Sequence, residues 1–188
     1  MTLTFTAHWL DQALQRRSPN ANERPDPADL SLIVIHNISL PPGQFGGEDV
    51  ERLFLNQLDH SADPYFAGLR GLEVSAHFYI RRHGDIRQYV ACDRRAWHAG
   101  QSSWQGRSGC NDFSIGIELE GTDHTPYTNA QYRSVVALVR ALLLQYPTLS
   151  EQAIVGHSDI APGRKTDPGA AFDWPRFHGL LAAKEENP

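Results

Sequence analysis

The residues best suited to chemistry lie close together near the C-terminal end of the chain. The segment G-H-S-D-I-A-P-G-R-K-T-D-P-G-A-A-F-D-W (156–174) carries His157, then Asp167 ten residues on, with Lys165 between them. A histidine and a carboxylate are a metal-ligand pair, and the lysine adds a cation in the same span. Pro162, Gly163, Pro168 and Gly169 restrict or free the backbone at set points, so the segment reads as a long shaped loop, too broken for a helix or an ordinary strand. Long loops in compact domains tend to carry function, and the active site is expected here.

A third ligand is available at His36, which ends the run L-S-L-I-V-I-H. Zinc takes nitrogen and oxygen donors in a tetrahedron, and a catalytic site leaves one vertex to water. His36, His157 and Asp167 plus water make one open site of this kind. No H-E-x-x-H occurs, which excludes the zincin-type protease helix. Histidine has many other uses and the chain holds nine, so the residues admit this triad without requiring it.

Further side chains invite more than one reading. Glu118 is a solvated edge carboxylate, an ion-pair member or a general base beside a metal-held water. Glu120 shares its face, and spacing does not choose between them. Lys165 is either a surface lysine or a cation placed for the oxygen that turns negative when a carbonyl is attacked. His98, in A-W-H-A-G, is placed on a loop where it lines a cleft, whereas His77, in V-S-A-H-F-Y-I, reads as a satisfied sheet histidine. Cys110 reads as a buried inert thiol, and Q-F-G-G matches neither the P-loop nor the dinucleotide spacing.

The elements that must position these groups follow from periodicity. An amphipathic helix is expected over 8–16, with Trp9, Leu10, Ala13 and Leu14 on one side. Residues 18–29, rich in Pro and polar side chains, read as an unpacked surface lead-in. A buried strand is expected over 30–36 and a helix over 48–58. Strands over 74–80 and 86–90 are joined by the Gly84-Asp85 turn into a hairpin. Residues 96–111 read as loops. The stretch 113–120 alternates apolar Phe113, Ile115, Ile117 and Leu119 with Ser114, Gly116, Glu118 and Glu120, a strand with one apolar and one polar face. The strongest helix starts at Thr128, whose spacing to Gln131 is that of a capping box, and Pro147 stops it. A short strand at 153–156 leads into the central loop, and Asp173 caps a last helix bearing Phe177, Leu180 and Leu181. The expected fold is α/β, a central mixed sheet flanked by helices, in a single domain over 1–188 with a lead-in to 29 and a catalytic core over about 30–181.

Bulk composition narrows the functional class. The chain has 188 residues, 40% hydrophobic and 21% charged, with a net charge of −5. That is an ordinary soluble globule with no general attraction to nucleic acid or an anionic membrane. The first residues lack a basic region followed by an apolar one, and no run of apolar residues is long enough to span a bilayer. Cys92 and Cys110 make no disulfide framework. A cytoplasmic protein with reduced thiols is expected.

The segments I-V-I-H-N-I-S-L-P-P-G-Q-F-G-G, V-S-A-H-F, R-A-W-H-A-G, C-N-D-F-S-I-G-I-E-L-E-G-T-D and G-H-S-D-I-A-P-G-R-K-T-D-P-G together resemble the AmpD family in one order. These are the cytoplasmic 1,6-anhydro-N-acetylmuramyl-L-alanine amidases of cell-wall recycling, within a superfamily that includes phage lysozyme-type amidases and peptidoglycan recognition proteins. The resemblance runs from about Leu30 to Phe177. It implies a zinc-amidase fold holding one zinc ion on His36, His157 and Asp167. It also implies Glu118 as the catalytic carboxylate and Lys165 as a stabiliser of the tetrahedral intermediate. Asn37, Trp97 and His98 stand in motifs that line the family's substrate cleft. Two positions depart from the pattern: Glu73 and Gly109 stand where the family carries arginine, and Arg107 is the expected substitute in substrate binding. The implied reaction is hydrolysis of the amide between anhydro-N-acetylmuramic acid and the L-alanine of its stem peptide, with a soluble anhydromuropeptide as substrate. It removes the muropeptides that induce β-lactamase in bacteria possessing the regulator. A monomer is expected. Two alternatives are a non-catalytic muropeptide-binding module and an amidase acting on polymeric peptidoglycan.

Overall fold

The computed structural model describes residues 3–183, so the ends of the expected 1–188 unit lie outside the described residues. A six-stranded mixed sheet is at the centre of this single α/β domain. Its strands are Leu14–Gln15 (β1), Leu32–Ile38 (β2), Phe78–Ile80 (β3), Ile86–Gln88 (β4), Ser114–Glu120 (β5) and Ile154–Gly156 (β6). They lie in the order β6-β2-β5-β3-β4-β1. β2 and β5 pair in parallel from Ser114 opposite Leu32 to Glu120 opposite Ile38. β6 runs parallel to β2, and β3 parallel to β5. β3 and β4 form the expected antiparallel hairpin.

The helices are Asp49–Phe54 (α1), Asn129–Gln145 (α2), His157–Ile160 (α3) and Trp174–Ala182 (α4). α2 begins as expected: the Thr128 hydroxyl accepts from the Gln131 N–H, and the Gln131 side chain accepts from the Thr128 N–H, both at 3.1 Å. Tyr132, Val135, Leu138, Val139 and Leu142 then face the sheet. With Phe177 and Leu181 of α4 they bury Ile33 and Ile35 of β2, Phe78 and Ile80 of β3, and Ile115, Ile117 and Leu119 of β5. Asp173 caps α4 by accepting from the Arg176 N–H. On the opposite face of the sheet the apolar cover falls into two clusters. One cluster holds Leu53, Phe54, Phe66, Tyr79 and Tyr89, and the other holds Leu32, Val34, Ala99, Phe113 and Ile160.

Several expectations are corrected. Residues 8–16 are not helical. Phe5–Thr6 pairs with Trp9–Leu10 through a turn at Ala7 and His8, whose φ angles are 46° and 67°, and Leu14–Gln15 then joins the sheet edge. The Leu10 N–H donates to the Gln88 side chain at 2.6 Å, so pairing with the sheet outweighs the local amphipathic pattern. The 18–29 lead-in is packed: Asn20 and Arg24 are buried, and Ala21–Glu23 pairs with Arg94–Ala96. Its polar side chains are there to meet backbone groups. Arg24 donates to the carbonyl oxygens of Cys92, Asn111, Asp112 and Ser114. α1 stops four residues early, followed by Asn56 with φ 58°. The β3 and β4 ladders are also shorter than the runs that suggested them. The loops over 96–111 contain a small hairpin, Ser103–Trp104 with Arg107–Ser108. Both faces of β5 are buried: α2 and α4 cover one, and on the other His98 packs against Ser114 and Gly116. Finally, the 156–174 loop opens with the helical turn α3.

Candidate active site

The C-terminal ends of three neighbouring parallel strands meet at one point, which is where α/β sheets build their sites. His36 sits near the end of β2 and is 1% exposed. Glu118 lies opposite it on β5. β6 pairs Gly156 with Ile35, which sets His157 beside His36 as α3 begins. The loop then folds back, held by the Ser158 N–H donating to the Asp167 carbonyl at 3.0 Å. Gly156 permits this return, since a Cβ there would lie 2.9 Å from Pro168 Cδ.

His36, His157 and Asp167 converge although the first is 121 and 131 residues from the others. His36 Nδ1 lies 2.9 Å from His157 Nδ1 and 3.1 Å from Asp167 Oδ2, and His157 Nδ1 is 3.0 Å from Asp167 Oδ2. Tetrahedral zinc with bonds of about 2.0–2.1 Å has edges of about 3.3–3.4 Å, so a small adjustment turns this triangle into three vertices. Donor chemistry fits as well. His157 Nε2 is 3.0 Å from the Ala99 carbonyl, to which it donates, leaving Nδ1 with its lone pair. Burial lowers the His36 pKa to about 4, against the opposing hydrogen bond of Asp167, so the ring is in the neutral form that binds metals. Burial pushes the Asp167 carboxyl up, but hydrogen bonds from His157 and His36 outweigh it and hold the group well below the usual carboxylate range. Among the described residues, this is the cluster of histidines, cysteines and carboxylates able to hold a metal ion.

The structure separates the two carboxylates of β5. Glu120 accepts the backbone N–H groups of Gly46 and Arg82 at 2.5 and 2.8 Å, pinning two loops. Glu118 has Oε1 at 4.0 Å from His36 Nδ1, and its buried Oε2 has no hydrogen-bond partner. Burial, then the charge of Asp167, raises the Glu118 pKa well above its ordinary value, with Lys165 opposing. A buried carboxylate left open on one side, next to three metal-type donors, is suited to exchanging a proton with something bound there.

The site opens into a cleft of about 760 Å³ lined by Asn37, Trp97, His98, Glu118, Lys165 and Asp167 among others. Asn37 donates to Asp123 Oδ1 at 2.8 Å, and Trp97 Nε1 to Asn22 Oδ1 at 2.8 Å, so both are held by neighbours as they face the cleft. Arg107 stands apart. Its guanidinium pairs with Asp29, reaches Ser31 Oγ at 3.2 Å and lies 3.8 Å over the Phe113 ring. It is not among the residues that line the cleft, and an ion pair and a ring contact hold it where it stands. Glu73 does line the cleft. His77 is satisfied, accepting the Gly116 N–H at Nδ1 and facing the Arg94 carbonyl at Nε2. Cys110 is buried, and its thiol is pushed up by that burial.

Asp123 was missed by sequence reasoning. It accepts from Asn37 and from the Thr166 hydroxyl, and its carbonyl accepts the Ala171 N–H. It thereby ties the loop bearing Lys165 and Asp167 to the end of β2. The nearest signal was Gly169, where a Cβ would lie 2.2 Å from Asp123 Cα.

Known proteins are similar to this chain in sequence and fold. AmpD of Citrobacter freundii, a 1,6-anhydro-N-acetylmuramyl-L-alanine amidase, is 56% identical over 173 residues, 92% of each chain. The crystal structure of a selenomethionyl AmpD derivative superposes with a TM-score of 0.92 at 55% identity, covering 94% of this chain and 98% of that one. AmiD of Escherichia coli has been solved with its substrate anhydro-N-acetylmuramic acid-L-Ala-D-γ-Glu-L-Lys. It is 26% identical with a TM-score of 0.60, covering 95% of this chain and 65% of its own. The family model for N-acetylmuramoyl-L-alanine amidases matches residues 26–170, and the chain belongs to that family.

Proposed function

We propose that this chain is a zinc amidase hydrolysing the amide between 1,6-anhydro-N-acetylmuramic acid and the L-alanine of a soluble stem peptide, in cytoplasmic peptidoglycan recycling. One observation carries the reading: three metal-type donors within 3.1 Å of one another, beside a buried carboxylate with an unpartnered oxygen, at the base of an open cleft. His36, His157 and Asp167 would hold the ion. Bound there, zinc supplies Lewis acidity to a carbonyl oxygen and to water, whose pKa it lowers to about 7.

Glu118 takes the proton of the attacking water and later delivers it to the leaving alanine nitrogen. Its raised pKa makes it a stronger base than an exposed glutamate, and the bound ion's charge moderates that shift. Lys165 contributes positive charge on the cleft wall as the carbonyl oxygen turns negative. Asn37, Trp97 and His98 form the wall against which the muropeptide rests. The substrate assignment is supported by the activity named for the 56% identical relative and by the muropeptide bound in AmiD. Loss of such muropeptides lowers the β-lactamase-inducing signal where the regulator exists. Among the described residues no helix is long and apolar enough to cross a membrane. A monomer acting alone is part of the proposal.

Incubation with anhydromuramyl-tripeptide, followed by mass analysis, is expected to release free tripeptide, and a chelator should stop the release until zinc is restored. Intact sacculi should be poor substrates. No cleavage of the soluble substrate by zinc-loaded protein would return the chain to a binding role. Preferred cleavage of sacculi would make it a wall amidase.

A further inference from the structure

The cleft-facing histidine His98 has both ring nitrogens engaged by protein groups. Its Nδ1 lies 2.9 Å from His36 Nε2, with the two rings perpendicular at 90° and their centroids 5.0 Å apart. Its Nε2 lies 3.1 Å from the Ser114 hydroxyl. Connectivity assigns the protons. His36 turns Nδ1 toward His157 and Asp167, so a ligand lone pair there leaves the hydrogen on Nε2. That N–H donates to His98 Nδ1. The remaining His98 N–H donates to Ser114 Oγ.

The strand beneath is shaped for this ring. Gly116 sits in the middle of β5, where glycine weakens a strand and often marks a close approach. A Cβ at that position would lie 2.5 Å from His98 Cγ and 2.6 Å from its Nδ1. The same stretch is braced from its flank. Arg24 donates to the Ser114 carbonyl at 2.8 Å, and the Gly116 N–H donates to His77 Nδ1 at 3.0 Å.

We propose that His98 is a positioning residue for His36. Ser114 fixes the His98 ring, Gly116 leaves it room, and His98 holds His36 in the tautomer and orientation that turn Nδ1 to the metal. This rests on the zinc reading above and extends it to how one ligand is oriented.

The test measures zinc affinity of the full chain by competition with a chromogenic chelator, together with thermal unfolding of the metal-free protein. His98→Leu keeps comparable bulk and removes the acceptor. It is expected to weaken zinc by roughly 10–100-fold, with little change in the metal-free unfolding temperature. His98→Asn places an amide oxygen near the Nδ1 position and should recover most of the affinity. Ser114→Ala should lower affinity by less than His98→Leu, and cobalt(II) bound to His98→Leu should show an altered visible spectrum. Unchanged zinc affinity in His98→Leu with a raised KM at saturating zinc would make His98 a substrate contact and overturn the proposal. If His98→Leu does not fold, unchanged affinity in Ser114→Ala overturns it instead. Wild-type protein that binds no zinc would sink the zinc reading itself, a result distinct from either.

Discussion

The two faces of the central sheet are made by the same strands and solve different problems. β5 turns Ile115, Ile117 and Leu119 toward α2 and α4, into a largely apolar layer. Its other face carries Ser114, Gly116, Glu118 and Glu120, all buried as well. On the closed face, apolar burial carries most of the stabilisation, and the few polar groups there, such as the Gln131 amide, meet backbone carbonyls. On the open face each polar group must be met individually, and most are. Glu120 takes two backbone N–H groups, Ser114 meets His98, and Gly116 makes space. Glu118 Oε2 is left without a partner. A fold that satisfies nearly everything around one open carboxylate keeps that group for something that arrives from outside.

This contrast can be broken at either face. The largest effect is expected at the open one: Glu118→Gln should reduce kcat by on the order of 10²–10⁴-fold with zinc content and folding kept. Steady-state kinetics beside metal analysis checks it, and near-normal turnover would take Glu118 out of the reaction. Lys165→Ala should lower kcat by roughly 10²–10³-fold while sparing zinc, since an oxyanion-stabilising group is typically worth about 3 kcal/mol. Turnover unchanged with zinc retained would reduce Lys165 to a surface lysine.

On the closed face, Leu138→Ala should cost about 3 kcal/mol by denaturant unfolding, because it empties a fully buried site under the sheet. Its folded fraction should turn over as wild type does. Impaired chemistry in that fraction would mean the two faces are coupled. The smallest effect lies at the rim beside α1. The Arg87 guanidinium holds the Glu48 carboxyl below its ordinary value of 4.5. A depressed carboxylate pKa stabilises the folded state above the unfolded value, and this is lost as pH falls through the folded one. The urea midpoints of wild type and Glu48→Gln should therefore differ slightly at neutral pH and converge below pH 4.5. Glu48 is 45% exposed, so added salt should shrink the gap too.

What could be read before folding follows the range of the signal. The capping box at Thr128 and the apolar stripe from Tyr132 to Leu142 act within one helix, and α2 forms where they place it. The first residues misled because Trp9, Leu10 and Ala13 have helical spacing, while Gln88, far along the chain, takes the Leu10 N–H. Arg24 looked like part of a solvated lead-in. Its partners are carbonyls 68 to 90 residues away, beyond the reach of any local pattern.

By itself the sequence determined the closed face, the caps of α2 and α4, and the motif residues that mark the family, since each depends on near neighbours or on residue type. Only the tertiary structure gave Glu120 its two backbone partners, paired Arg107 with Asp29, and brought two imidazoles and a carboxylate within 3.1 Å of one another. The physical reason is that apolar burial leaves a periodic trace in the chain, whereas the partner of a buried polar group is set by strands that meet only when the sheet closes.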